Sequence, residues 1–199
     1  MKRNLLVVLL FTLVVFVIAV VTTANGLTFK NNQDIISYKQ LAICLLVAVV
    51  TVFLYGFVRF SLRGAIAFSV VVLNDMLLVF SLTALLSVVF PAMPSSVSLP
   101  YFLILTAVVS VANAMPGIRA AQKTPKSEEV KDAVAQTMKK TKLFVLVFSL
   151  VSLAALMAIG NRMALLLIPL CLSALISWES SQVLLPEAYL LYTPRKRGR

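Results

Sequence analysis

Six apolar runs, each near the length that crosses a bilayer, constrain this chain more than anything else in it: Leu5–Val21, Leu41–Val58, Gly64–Phe90, Leu99–Met115, Leu143–Ile159 and Met163–Trp178. A hydrocarbon core about 30 Å thick takes roughly 20 helical residues to cross. The 199 residues are 61% hydrophobic, with mean hydropathy +1.01, whereas soluble domains hold about 45–50% apolar residues. The expectation is an all-α, polytopic membrane protein with six transmembrane helices. These form a single domain over residues 1–192, followed by a basic tail at 193–199.

Formal charge +11 would suit a nucleic-acid binder, but the basic residues are sorted along the chain rather than gathered on one domain. With the N-terminus in the cytoplasm, only Lys30, Lys39 and Arg162 of the 18 basic residues fall outside. That agrees with the positive-inside rule and places both termini in the cytoplasm of a bacterial-type plasma membrane, with no call for nucleic acid. The first run follows Lys2 and Arg3 as a secretory signal would, yet it exceeds the 7–15 apolar residues of one, and no clear Ala-x-Ala site follows. It reads as a retained signal anchor.

Outside, Thr22–Gln40 is too short for a folded domain; Pro91–Ser98 reads as a tight uncharged turn, and Gly160, Asn161 and Arg162 as a hairpin. Inside, residues 116–142 form the one substantial polar stretch. Thr124 or Ser127 is placed to cap a helix with Glu128 and Glu129 in its first turn and Lys139, Lys140 and Lys142 at its end. Val130, Val134 and Met138 share one face of it, with Ala133 nearby, which predicts an amphipathic loop helix on the cytoplasmic surface, its lysines on anionic lipids. An ordinary solvated connector is the alternative. Pro186 is expected to disrupt the last helix before Tyr189 and Tyr192 anchor it at the interface.

Asp75 is the one acid set deep inside an apolar span. A carboxylate at mid-bilayer costs roughly 2.5–3.5 kcal/mol, so it should face a protein interior or a water path. It needs neutralisation or a partner, which suits a group that loads and releases protons. Gly64, Ala67, Val71, Asn74, Leu78 and Ser81 recur at helical spacing beside it, a face of small and polar groups that should point into a bundle. The fourth span repeats the arrangement with Thr106, Ser110, Asn113 and Gly117, and the fifth offers Ser149, Ser152 and Ala155. A polar seam between the third and fourth helices is expected, with Asn113 near Asp75 or Asn74. Hydrogen bonds that simply hold helices together are the plainer role for each Asn and Ser.

Cys44 and Cys171 lack metal-ligand spacing, so neither a disulfide nor a metal site is expected. There is no histidine, no nucleophile with a base and no phosphate loop, so neither an enzyme nor a cofactor is expected.

The stretch Val58-Arg-Phe-Ser-Leu-Arg-Gly-Ala-Ile-Ala-Phe-Ser-Val-Val-Val-Leu-Asn-Asp75-Met-Leu-Leu-Val-Phe-Ser-Leu resembles SecF, the smaller subunit of the SecDF protein-export complex and a relative of the RND membrane half. In that family a basic turn leads into a helix carrying this Asp after a His; Asn74 stands in the place of the His. Ala133-Val-Ala-Gln-Thr-Met-Lys-Lys-Thr141 is similar to the segment that leads into the family's fifth helix. Trp178-Glu-Ser180-Ser181 with Pro186 is similar to the paired serines and proline at the end of its sixth. The chain departs from the family in having no extracytoplasmic domain between the first two helices. It also reads Pro116-Gly117-Ile118-Arg119-Ala120 where Asp-Arg-Ile-Arg-Glu is usual.

The resemblance implies a SecF-like bundle that pairs with a SecD-like subunit and a SecYEG-type channel and assists export or insertion by proton flow. Asp75, Asn74, Asn113 and Arg119 would lie on the proton pathway, while Gly64, Ala67, Ser81, Ser110, Ser149 and Ser152 would pack helices. A non-motor scaffold of a translocon or insertase, and a stand-alone small-solute transporter, are the alternatives.

Overall fold

The computed structural model describes residues 2–22, 38–89, 99–124, 126, 129–159 and 167–191. Among them the regular elements are all helical: α1 (Lys2–Thr22), α2 (Tyr38–Arg59), α3 (Leu62–Val89), α4 (Leu99–Lys123), α5 (Val130–Ile159) and α6 (Leu167–Leu191). Three of them, over Ala42–Arg59, Leu62–Leu86 and Leu103–Lys123, are long and apolar enough to cross a membrane, and Leu5–Val21 is a shorter apolar helix. The Pro91–Ser98 turn, the hairpin at 160–162, Ser127, Glu128, Tyr192, the tail at 193–199, most of the segment between α1 and α2, and the side chains of Ser152 and Ala155 lie outside the described residues.

Helices α3 and α6 make the centre. α3 packs on α1, α2, α4 and α6, and α6 packs on α1, α3, α4 and α5. Helices in lipid associate through small residues and polar contacts, because lipid tails solvate Leu as well as another helix does. α3 meets that requirement, since Gly64, Ala67, Val71, Asn74, Leu78 and Ser81 are all buried.

Phe60 and Ser61 turn the chain from α2 into α3. The Ser61 hydroxyl accepts the Gly64 N–H at 3.3 Å, an N-cap that satisfies one of the helix's orphan donors. Just before the turn, a Cβ on Gly56 would stand 2.9 Å from the Ala65 Cα, so the α2 and α3 backbones touch there. At the other end of the pairings, a Cβ on Gly64 would reach the Ile118 side chain at 3.6 Å, which sets the start of α3 against the last turns of α4.

Three expectations are corrected. α4 does not end at Met115 but runs through Pro116 to Lys123. Proline forfeits its own N–H bond to the Ala112 carbonyl, and burial of Gly117, Ile118 and Ala121 carries the helix past it. α6 likewise continues through Pro186, with Leu184, Leu185, Glu187 and Ala188 all buried around it.

The third correction concerns the amphipathic stretch, which is the first part of α5, continuous with the fifth apolar run, and not a separate helix on the membrane surface. Val130, Val134 and Met138 are buried, and Val134 and Met138 close around Gly117 together with Leu185 of α6. The Trp178 Nε1–H donates to the Met138 carbonyl at 3.0 Å, and Lys131 pairs with Glu187. An apolar stripe is satisfied by any apolar neighbour, and here the neighbour is the bundle. Thr124 ties back to the Ala120 carbonyl at 2.9 Å and so belongs to the end of α4 instead of capping α5.

Candidate functional site: a buried polar seam

The seam starts from two adjacent side chains at the middle of α3. Asn74 and Asp75 are 1% and 0% exposed. Adjacent helical positions point about 100° apart, so the pair faces different neighbours. Asn74 bridges α1 and α6: its Oδ1 accepts from the Thr12 hydroxyl at 2.6 Å and its Nδ2 donates to Ser180 Oγ at 3.0 Å. Thr12 Oγ1 also stands 3.0 Å from the Val8 carbonyl, so its single proton has two acceptors.

Asp75 faces α4, where the Ser110 hydroxyl donates to its Oδ2. Its Oδ1 has no hydrogen-bond partner among the described residues, and the buried Ser181 Oγ on α6 is also unpartnered among them.

The seam continues between α4 and α6, whose polar pairs advance together. Thr106 meets Ser173 at 3.0 Å, and Asn113 donates to Ser177 Oγ at 2.6 Å and to the Ala174 carbonyl at 3.2 Å. Interhelical hydrogen bonds of this kind average about 0.6 kcal/mol each in membranes. Toward the C-terminal end of α6, Lys131 and Glu187 form an ion pair whose carboxylate is buried while its ammonium side chain is 41% exposed.

The hydrogen-bond partner of Asp75 among the described residues is the Ser110 hydroxyl, and no ion pair is formed to it there. Such a carboxyl can take up and lose a proton without breaking an ion pair, and the Ser and Thr hydroxyls along α4 and α6 both donate and accept, as a relay requires.

Of the residues singled out from sequence, Asn74 and Asp75 lie in this seam, joined by Ser110, a helix-packing residue in the sequence analysis. Asn113 belongs to it through α6, not through Asp75 or Asn74. Arg119 is exposed, its guanidinium donating to Met115 Sδ at 3.4 Å on its own helix, and the structure does not bring it to Asp75. Ser81 donates to the Leu77 carbonyl at 2.6 Å, and Ser149 is buried with no partner for its hydroxyl among the described residues, while its carbonyl accepts Cys171 Sγ at 3.6 Å.

Sequence reasoning missed Thr12, Ser173 and Ser177. Thr12 is the one hydroxyl in the first apolar run, and Ser173, Ser177 and Ser180 recur at four- and three-residue steps, so both signals were present. Among the described residues no group of three or more His, Cys, Asp or Glu side chains is placed to hold a metal ion. Comparison of the chain with protein-family models, with curated proteins and with solved structures finds no match.

Proposed function

We propose that this chain is a six-span, SecF-like accessory subunit of a Sec-type translocon, with both termini cytoplasmic, in which Asp75 carries protons that drive assistance to protein export or membrane insertion. The observation that carries the reading is the Asn74–Ser180 hydrogen bond at 3.0 Å, across 106 positions of sequence. It joins two of the stretches that carry the resemblance, the Asp-bearing third helix, at the position where Asn74 stands in place of the family's His, and the paired serines of the sixth. Asp75 sits beside that junction, with one carboxylate oxygen held by Ser110 and the other unpartnered among the described residues.

In this reading Asp75 takes up and releases the proton, and Ser110, Ser180 and Ser181 pass it along. Asn74 positions α1 and α6 around the acid. Each charge moved across 100 mV supplies about 2.3 kcal/mol, enough to bias a conformational cycle. The partners are a SecD-like subunit and a SecYEG-type channel.

The test uses membrane vesicles carrying this chain with both partners. Asp75→Asn is expected to abolish the uncoupler-sensitive part of protein export while the protein still inserts and co-purifies with its partners. Unchanged export in that variant removes Asp75 as the motor. One observation favours the scaffold reading instead: Arg119, the family-matched base, is exposed and bonded to its own helix. A scaffold co-purifies with the same partners but is indifferent to uncouplers and to Asp75→Asn.

A further inference from the structure

α2 and α4 leave between them an apolar groove of about 770 Å³, walled by Val47, Thr51 and Tyr55 on one side and Ile104, Val108 and Met115 on the other. Its wall offers little polarity, since the Thr51 hydroxyl is turned onto the Val47 carbonyl at 2.8 Å. The α4 side of the groove runs from Leu103 to Met115. At 1.5 Å per residue that is about 18 Å, close to the roughly 15 Å hydrocarbon depth of one leaflet.

One end of the groove is basic. Arg59 stands one helical turn beyond Tyr55, and Arg119 one turn beyond Met115, with its guanidinium on the Met115 sulfur. The contact between Gly64 and Ile118 brings the α2–α3 turn beside the last turns of α4, so both cations are at the same end. Both are exposed, and neither has an ion-pair partner among the described residues. That end is the cytoplasmic one in the orientation read from the charge distribution.

We infer that this groove is a binding site for a phospholipid with an anionic headgroup, its acyl chain lying between α2 and α4 and its phosphate held by Arg59 and Arg119. The groove supplies the apolar match to one leaflet, and the two guanidiniums favour a headgroup whose phosphate charge is not offset by a cation of its own. This site stands independently of the export reading, since lipid retention is measured without any partner.

The experiment is native mass spectrometry of the full chain released from nanodiscs of phosphatidylglycerol and phosphatidylcholine in equal amounts. A basic residue at an anionic surface is worth about a factor of five, so the pair predicts a preference for phosphatidylglycerol of about 30-fold. Arg59→Gln and Arg119→Gln, both at exposed positions, should each reduce it about fivefold, and together they should leave both lipids bound equally. Val108→Trp, at a site 62% exposed in the groove, should lower retention of both lipids with the arginines intact. Equal retention by the unaltered chain, a preference that survives the double substitution, or bound lipid unchanged by Val108→Trp would each overturn the assignment. So would a dimer that Val108→Trp dissolves, because the groove would then be a contact between copies.

Discussion

α2 and α3 are neighbours in sequence and near-equals in apolarity, with mean hydropathies of 2.3 and 2.2 over their spans, yet 11% of the first span is buried and 67% of the second. Hydropathy puts both in a membrane but does not decide which is inside. The difference lies in side-chain size and polarity. α3 offers Gly64, Ala65, Ala67, Asn74, Asp75 and Ser81, while α2 offers Leu46, Leu54, Phe57 and Val58, all exposed. Bulky apolar groups lose nothing by facing lipid, so the helix that can be approached closely, and whose polar groups need partners, becomes the centre.

The sharpest way to break that comparison is at the point where the outer helix touches the inner one. Gly56→Leu places a side chain where even a Cβ would lie 2.9 Å from the Ala65 backbone, which cannot yield as a flexible side chain would. It should destabilise the bundle by about 3 kcal/mol, the upper end of overpacking costs, read as a lowered unfolding midpoint in detergent micelles. Val58→Leu, two residues away and 86% exposed, should leave that midpoint unchanged. Equal effects would mean that α2 does not approach α3 as described.

A smaller effect is expected at the α5–α6 ion pair. Lys131→Met leaves the Glu187 carboxylate buried without its cation, a change that costs about 3–5 kcal/mol for a fully buried pair. Because the lysine side chain is 41% exposed, water can reach the site, and about 2 kcal/mol is the expected loss. Glu187→Gln should cost less, since it leaves the stranded charge on the partly exposed partner. Both are read by the same unfolding midpoint, and the order of the two losses is the outcome that matters. Asn74→Leu comes next: it keeps the number and branching of the side-chain heavy atoms but removes two interhelical hydrogen bonds, for about 1 kcal/mol.

Much of the bundle's inner surface was legible in the chain. The small and polar stripe of α3 is a helical-period pattern, and a helix in lipid has one reason to bury such a stripe, so position followed from residue type. The polar partners were harder. Sequence alone places Ser110 among the packing residues and Asn113 beside Asp75 or Asn74; the structure gives Ser110 to Asp75 and Asn113 to α6. Which of two residues three apart on one helix meets a given acid depends on how deep the helices sit against each other, and sequence spacing carries no depth. The amphipathic stretch failed for a related reason. Val130, Val134 and Met138 mark an apolar face without naming what covers it, and lipid and a second helix leave the same pattern. Local rules penalise a proline inside a helix, which is why a break is expected at Pro186, while the burial that carries α6 past Pro186 and α4 past Pro116 is tertiary.

The smallest expected effect tests the other half of the comparison. α5 exposes Leu143, Phe144 and Leu150 at 72%, 73% and 64%, while Val145 and Ser149 on its inner side are buried. If lipid covers the outer face, Leu150→Ala trades one apolar contact with lipid for another, and the unfolding midpoint of the isolated protein in nanodiscs should move by less than about 0.5 kcal/mol. Val145→Ala, which deletes methyl groups from a packed interface, should cost roughly 1 kcal/mol by the cavity it leaves. The same pair measured after assembly with the proposed SecD-like partner gives a second outcome. A Leu150→Ala penalty that appears only in the assembled complex would place the partner on α5. One present in the isolated protein would mean that α5 is covered by another copy of the chain, and that exposure in the single bundle does not identify the face that meets lipid.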